Sequence, residues 1–115
     1  MRSNFGWVEI DKIRYDHDVV IHTDKSVTKR SKKSSKKFKH LFGHTPLTGK
    51  ELDFLDRESP SIIYIGTGQI DKLPITVEAL KILSGYSTIF RPTPTILQML
   101  ETENRQFAAI LHVSC

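Results

Sequence analysis

Residues 61–68 read Ser-Ile-Ile-Tyr-Ile-Gly-Thr-Gly, and they constrain the fold more than any other stretch. Four consecutive large apolar residues, three of them β-branched, follow Pro60 and stop at a glycine pair. An apolar run of this length without polar alternation is the pattern of a strand buried on both faces. The glycines then demand a sharp turn. A strand that ends in a glycine turn is how open α/β sheets finish at a ligand crevice. Gly66-Thr67-Gly68 lacks both the Walker and the dinucleotide spacings, so it names no nucleotide.

The rest of the chain supplies partners for that strand. Phe107 to Val113 is apolar nearly throughout and predicts a second central strand. Tyr86 to Phe90 predicts a third. Between them lie helix signals. Thr48-Gly49-Lys50-Glu51 fits a capping box for a helix over about 49–56, with Leu52 and Leu55 as its buried stripe. Thr76 caps a helix over about 77–84, with Gly85 as a left-handed stop. Thr93-Pro94 opens a helix running to about 103, with Thr93 as cap and proline in the first turn. Residues 5–23 predict a hairpin turning at Asp11-Lys12, with Val19-Val20-Ile21 resuming the strand. Strand and helix alternation from 48 to 113 predicts a three-layer α/β fold. Its core is a central mixed sheet flanked by helices, with the N-terminal β-hairpin added.

Charge is unevenly distributed. Residues 25–50 contain nine of the 17 basic residues and none of the 13 acidic ones. The protein is therefore a mildly acidic body carrying one strongly basic segment, read as a long loop over about 24–46. The 115 residues are the size of one domain. A single cysteine, Cys115, cannot staple the chain, which suits a reducing compartment. No apolar run approaches the roughly 18 residues of a membrane span, and no signal-type apolar core follows Met1. The expectation is a cytoplasmic protein.

These pieces in this order resemble a small α/β family that includes the adipogenesis-associated domain protein and mitochondrial respiratory complex I assembly factor three. The matching stretches are Phe5 to Asp11, Asp18 to Ile21, Gly43-His44, Ile63 to Gly68, Thr93, and Ala108 to Cys115. The run from Lys29 to Lys37 looks like the form found in stand-alone microbial members. The resemblance implies a pocket near Gly66-Thr67-Gly68, with no substrate or cofactor attached. One departure stands out. A tyrosine-asparagine pair common in the family falls here at Leu100-Glu101, and an alanine at Ile96.

Candidate site residues follow from both lines of argument. Gly66, Thr67 and Gly68 are expected to offer backbone amides to an anion, or else merely to redirect the chain. Thr93 brings a helix N-terminus, and Arg91 an adjacent cation, against a plain capping role. Lys32, Lys33, Lys36 and Lys37 are read as a solvated loop, as phosphate-neutralising groups for nucleic acid, or as cations folded over the pocket. With only Phe38 nearby, base-specific recognition has little support. His44 and His112 are pocket polar candidates. His112, in an apolar strand, is more often a hydrogen-bonded core residue, and His17 and His22 are expected on the hairpin surface. No metal-ligand spacing, cofactor signature or nucleophile–base constellation is present. The expected function is a binding or assembly-type domain with an anion-receptive pocket beside the glycine turn. Its expected partner is a phosphorylated small molecule or an acidic macromolecule. A small enzyme acting on an anionic substrate and a non-specific nucleic-acid binder are the alternatives.

Overall fold

The computed structural model describes residues 1–31 and 45–114. Lys32, Lys33, Lys36, Lys37, His44 and Cys115, singled out from the sequence, lie outside the described residues. Two sheets are present. Strands β1 (Arg2–Asn4), β2 (Trp7–Ile10) and β3 (Ile13–Tyr15) form an antiparallel meander. Strands β4 (Val19–Ile21), β5 (Val27–Lys29), β6 (Ile62–Gly66), β7 (Thr88–Arg91) and β8 (Phe107–Leu111) form a mixed sheet in the order β5-β4-β8-β6-β7. Within it β6 is parallel to both β7 and β8, while β4 runs antiparallel to β5 and β8.

The N-terminal hairpin is thus shorter than residues 5–23 suggested. Its turn at Asp11-Lys12 is as expected, with both residues at positive φ (49° and 70°). Val19 to Ile21 does not resume it. All three residues are buried, which one small half-exposed sheet cannot provide, so β4 crosses into the main sheet beside β8.

The two-face reading of β6 and β8 holds residue by residue. Ile62, Tyr64, Phe107, Ala109 and Leu111 enter one core with Val8, Ile10, Ile96, Leu97 and Leu100. Ile63, Ile65, Ala108 and Ile110 enter the other with Leu47, Leu52, Leu55 and Leu83. Side-chain alternation along each strand therefore serves two layers at once. One layer holds a 3₁₀ turn (Gly49–Leu52), α1 (Phe54–Glu58) and α2 (Val77–Leu83). The other holds α3 (Thr93–Leu100) and the small sheet. Ile96 and Leu100, where the resemblance departs from its pattern, are buried core residues.

Helix ends show three departures. The first helix breaks at Asp53 into the 3₁₀ turn and α1. The capping box survives, with Glu51 Oε2 accepting the Thr48 amide at 3.0 Å. Thr76 caps α2 as expected, accepting from the Ala79 amide at 3.2 Å. Gly85 is not left-handed; α2 closes through Ser84 with ordinary helical geometry. At α3 the cap position is Pro92, which leaves the Thr93 hydroxyl for other work.

Topology sets where a site belongs. From β6 the chain crosses through α2 to β7 on one side. From β7 it returns through α3, on the opposite face, to β8 on the other side. The strand order reverses between β6 and β8, and the carboxyl ends of these strands form the switch point at which α/β sheets bind ligands.

Candidate functional site

Gly66, Thr67, Gly68, Thr93 and His112 all meet at that switch point. Thr93 sits in the middle of it, fully buried. Its hydroxyl donates to the His112 carbonyl at 2.7 Å and accepts from the Gly68 amide at 3.1 Å. The Thr93 amide donates to the Gly68 carbonyl at 2.9 Å, and the His112 amide to the Gly66 carbonyl at 3.0 Å. This is why residue 66 is glycine. A Cβ there would lie 2.8 Å from Thr93 Oγ1 and 3.3 Å from the Thr93 Cα. Gly68 serves the turn itself, at φ 105°.

The expected offer of amides to an anion is not available in this conformation. Thr67 N–H donates to the Arg91 carbonyl at 2.9 Å, and Gln69 N–H to the Ser114 carbonyl at 2.8 Å. With Gly68 and Thr93 already engaged, the amides from 67 to 69 are committed within the protein. The Thr67 hydroxyl bonds Asp71. Arg91 is exposed and donates to the neighbouring Phe90 carbonyl at 2.7 Å, so its side chain does not enter the switch point. The glycine turn and the α3 start are one self-satisfied joint.

A second constellation lies at the same sheet edge, on the face of α1 and α2. Asp18 Oδ2 accepts from Arg30 Nη1 at 2.9 Å and pairs with His112 Nδ1 at 2.8 Å. Asp18 Oδ1 accepts the Val113 amide at 2.9 Å. Arg30 Nε donates to Glu51 Oε1 at 2.5 Å, Nη2 to Glu51 Oε2 at 3.1 Å, and Nη2 also to the Pro46 carbonyl at 2.8 Å. All four side chains are at least nine-tenths buried. Burial opposes the Arg30 charge, but hydrogen bonds and attraction from Glu51 and Asp18 outweigh it and raise its pKa above the usual value.

This corrects three readings. Arg30 belongs to a buried ion-pair network, not to a solvated loop, and residues 27–29 before it form the edge strand β5. Glu51 closes a capping box and also holds Arg30, which capping alone did not reveal. Asp18 was missed as a site residue, since an acidic residue ahead of a short strand carries no local signal of its partners. His112 is hydrogen-bonded as a core histidine, but only on one side: its Nε2 is buried and has no hydrogen-bond partner among the described residues. His22 is half-buried rather than on the surface, pairing with Glu58 at 2.6 Å and Thr28 at 2.7 Å. These residues, with Thr23, Asp24 and Ser26, line a shallow groove of about 260 Å³. Hydrogen bonds from Ser26 hold the Asp24 carboxyl below its usual range. His22 and Glu58 satisfy each other there, which leaves the groove without an open polar group of theirs.

Among the described residues no group of three or more histidine, cysteine, aspartate or glutamate side chains is arranged to hold a metal ion. No described helix is long and apolar enough to cross a membrane.

No protein-family profile and no curated protein matches the chain. Solved structures do. The conserved hypothetical protein PH1505 from Pyrococcus horikoshii OT3 is 33% identical, with a TM-score of 0.87, over 100% of this chain and 98% of that one. A protein named MT938 is 28% identical, with a TM-score of 0.75, over 100% and 96% of the two chains. A Xanthomonas campestris protein solved by NMR shares the fold at 15% identity, with a TM-score of 0.70, over 98% and 82%.

Proposed function

We propose, from the premise that this chain belongs to the family of the conserved hypothetical protein PH1505 of Pyrococcus horikoshii OT3, that it is a binding domain for a phosphorylated small molecule. The same proposal extends its kinship to the wider family of the adipogenesis-associated domain protein. The ligand would sit at the carboxyl edge of β6 and β8, held by cations of the basic segment rather than by the glycine-turn amides. One observation carries this reading. Arg30 Nη2 reaches the Pro46 carbonyl at 2.8 Å, so the two ends of the lysine-rich segment are joined beside Asp18 and His112. The described residues that flank the segment, Arg30 and Pro46, therefore lie beside the switch point, and its cations are proposed as the ligand's counter-charges.

Thermal melts across an anion panel test it. Phosphate should stabilise the protein beyond chloride at equal ionic strength, which removes general screening as the cause. At about 100 times the dissociation constant the gain is roughly 2.7 kcal/mol. Replacing Lys32, Lys33, Lys36 and Lys37 by glutamine should abolish the gain, and replacing the exposed Lys72 and Lys81 should not. Equal shifts in both variants would leave the segment as solvated surface. Tight binding to mixed nucleic acid with a steep salt dependence would instead favour an acidic macromolecule as partner. The enzyme alternative is favoured by one feature, the Asp18–His112 pair, whose geometry is that of an oriented acid/base.

A further inference from the structure

The five-stranded sheet ends on one side in β7, and among the described residues no strand pairs with its outer side. The Ile63 and Thr67 amides donate to the Ser87 and Arg91 carbonyls at 2.8 and 2.9 Å, so the odd-numbered residues of β7 turn their backbone groups to β6. These groups alternate along a strand, so the N–H and C=O groups of Thr88 and Phe90 point away from the sheet. Such an edge is a template for another strand, and folds blunt it with charge, proline or a bulge. The opposite edge is blunted, since β5 carries the exposed Lys29 among its three residues. Tyr86 to Phe90 carries no charge. The exposed Arg91 side chain folds back on this edge, and its Nη1 donates to the outward Phe90 carbonyl at 2.7 Å. Apolar side chains flank the edge on both faces. Phe90 packs half-buried against the core under α2, and Ile89 against the core under α3. On α2, Ile82 and Glu78 lie within 3.2 and 3.4 Å of where a Gly49 Cβ would stand, on the side of the 3₁₀ turn that Glu51 ties to the end of β5. Leu80 is 45% exposed on the opposite side of the helix, toward β7, with the 68% exposed Val77 one turn earlier.

We infer that β7 is a self-association edge, which takes β7 of a second copy antiparallel about a two-fold axis at Ile89. The strand is its own complement in that register. Thr88 stands opposite Phe90 of the second copy. The Thr88 amide donates to that Phe90 carbonyl, the Phe90 amide donates back to Thr88, and the axis repeats both bonds. A β-branched side chain then meets an aromatic one, a favourable cross-strand pair, and the two Ile89 side chains meet on the other face. A charge on the axis would meet itself, and the residue there is isoleucine. Arg91 falls off the axis, opposite Ser87. Its guanidinium is a guard, because the carbonyl it holds is the acceptor that Thr88 of the second copy needs. Each copy gives up that bond on pairing, so the association is weak and depends on concentration. The inference is independent of the ligand binding proposed above.

Sedimentation equilibrium of the full chain from about 10 μM to about 1 mM tests it, the range of weak specific association. The wild type should pass from one copy toward two across that range. Hydrogen exchange should slow with concentration at the Thr88 and Phe90 amides, but not at the Ile89 amide, which already faces β6. Arg91→Ala should associate about tenfold more tightly, a gain of about 1.4 kcal/mol, because both guarded carbonyls are released. Leu80→Lys sets like charges beside the axis and should weaken association at least about tenfold. Thr88→Pro removes an outward amide and no bond to β6, and should leave a single copy. Should that variant not fold, Leu80→Lys, at an exposed site, decides in its place. Lys29→Met at the far edge is the control and should associate as wild type does. A chain that stays single at about 1 mM overturns the inference. Association that neither Leu80→Lys nor Arg91→Ala alters also overturns it, since another surface is then in use. Protection of Thr88 and Phe90 that appears with added cell extract, and not with the protein's own concentration, assigns the edge to a different chain and overturns it too.

Discussion

Thr93 shows how much one hydroxyl can be asked to do. It fills the space that a glycine Cβ would occupy, satisfies the Gly68 amide and caps the His112 carbonyl. Gly66→Ala should therefore destabilise the domain by about 1–3 kcal/mol, because the new methyl meets the Thr93 backbone and not only a side chain that could yield. Thr93→Val keeps the volume but orphans both buried partners, with a similar expected loss. Urea unfolding of each variant measures this, and a Gly66→Ala protein as stable as wild type would show that the joint relaxes. Glu103 makes a separate residue-scale prediction. Hydrogen bonds from Arg105 and then from Tyr64 lower its pKa to about 2. A carboxyl lowered on folding stabilises fully above its unfolded value, near the ordinary 4.5, and that contribution fades as pH falls toward 2. Stability of Glu103→Gln should consequently vary less with pH between about 5 and 2 than stability of wild type, in denaturant melts taken across that range.

Elements are tied together by the Asp18–Arg30–Glu51 network. It joins the start of β4, the end of β5 and the 3₁₀ turn, three short pieces that have little apolar area of their own. Arg30→Met removes the cation that bonds both buried carboxylates, Asp18 and Glu51. A broken buried pair costs about 3–5 kcal/mol, well above the effect of an exposed one. Lys29→Met, one residue earlier and exposed, is the control and should change stability by less than about 0.5 kcal/mol. Hydrogen exchange at the β4 and β5 amides should accelerate in Arg30→Met if the network anchors the edge. Unchanged protection would assign that anchoring to Val19 and Ile21 alone.

At the scale of the molecule, the sheet is covered on both faces, and β6 contributes to both cores. Ile63 is 1% exposed between α2 and β8 neighbours. Ile63→Asp should abolish cooperative unfolding, because an unpaired carboxylate in that layer costs several kcal/mol of a total that rarely exceeds about 15. A soluble variant with a sharp thermal transition would contradict the three-layer packing.

Amino-acid order alone determined the features that depend on near neighbours. The two central strands, the cap at Thr76, the capping box at Thr48 and the turn at Asp11-Lys12 rest on contacts a few residues apart, and local pattern encodes those. The meeting of Gly66–Gly68 with Thr93 was anticipated only through family resemblance, and His112 was expected more as a hydrogen-bonded core residue than as their neighbour. What they do there was decided by tertiary structure. Gly68 and Thr93 meet across 25 residues, Arg30 and Glu51 across 21, and His112 and Asp18 across 94. A glycine turn looks the same in sequence whether its amides face a ligand or a threonine, and a lysine-rich stretch conceals which of its cations is buried. Hydrogen-bonding groups are assigned by whatever the fold brings within 3 Å, and that is a property of packing, not of the segment that carries them.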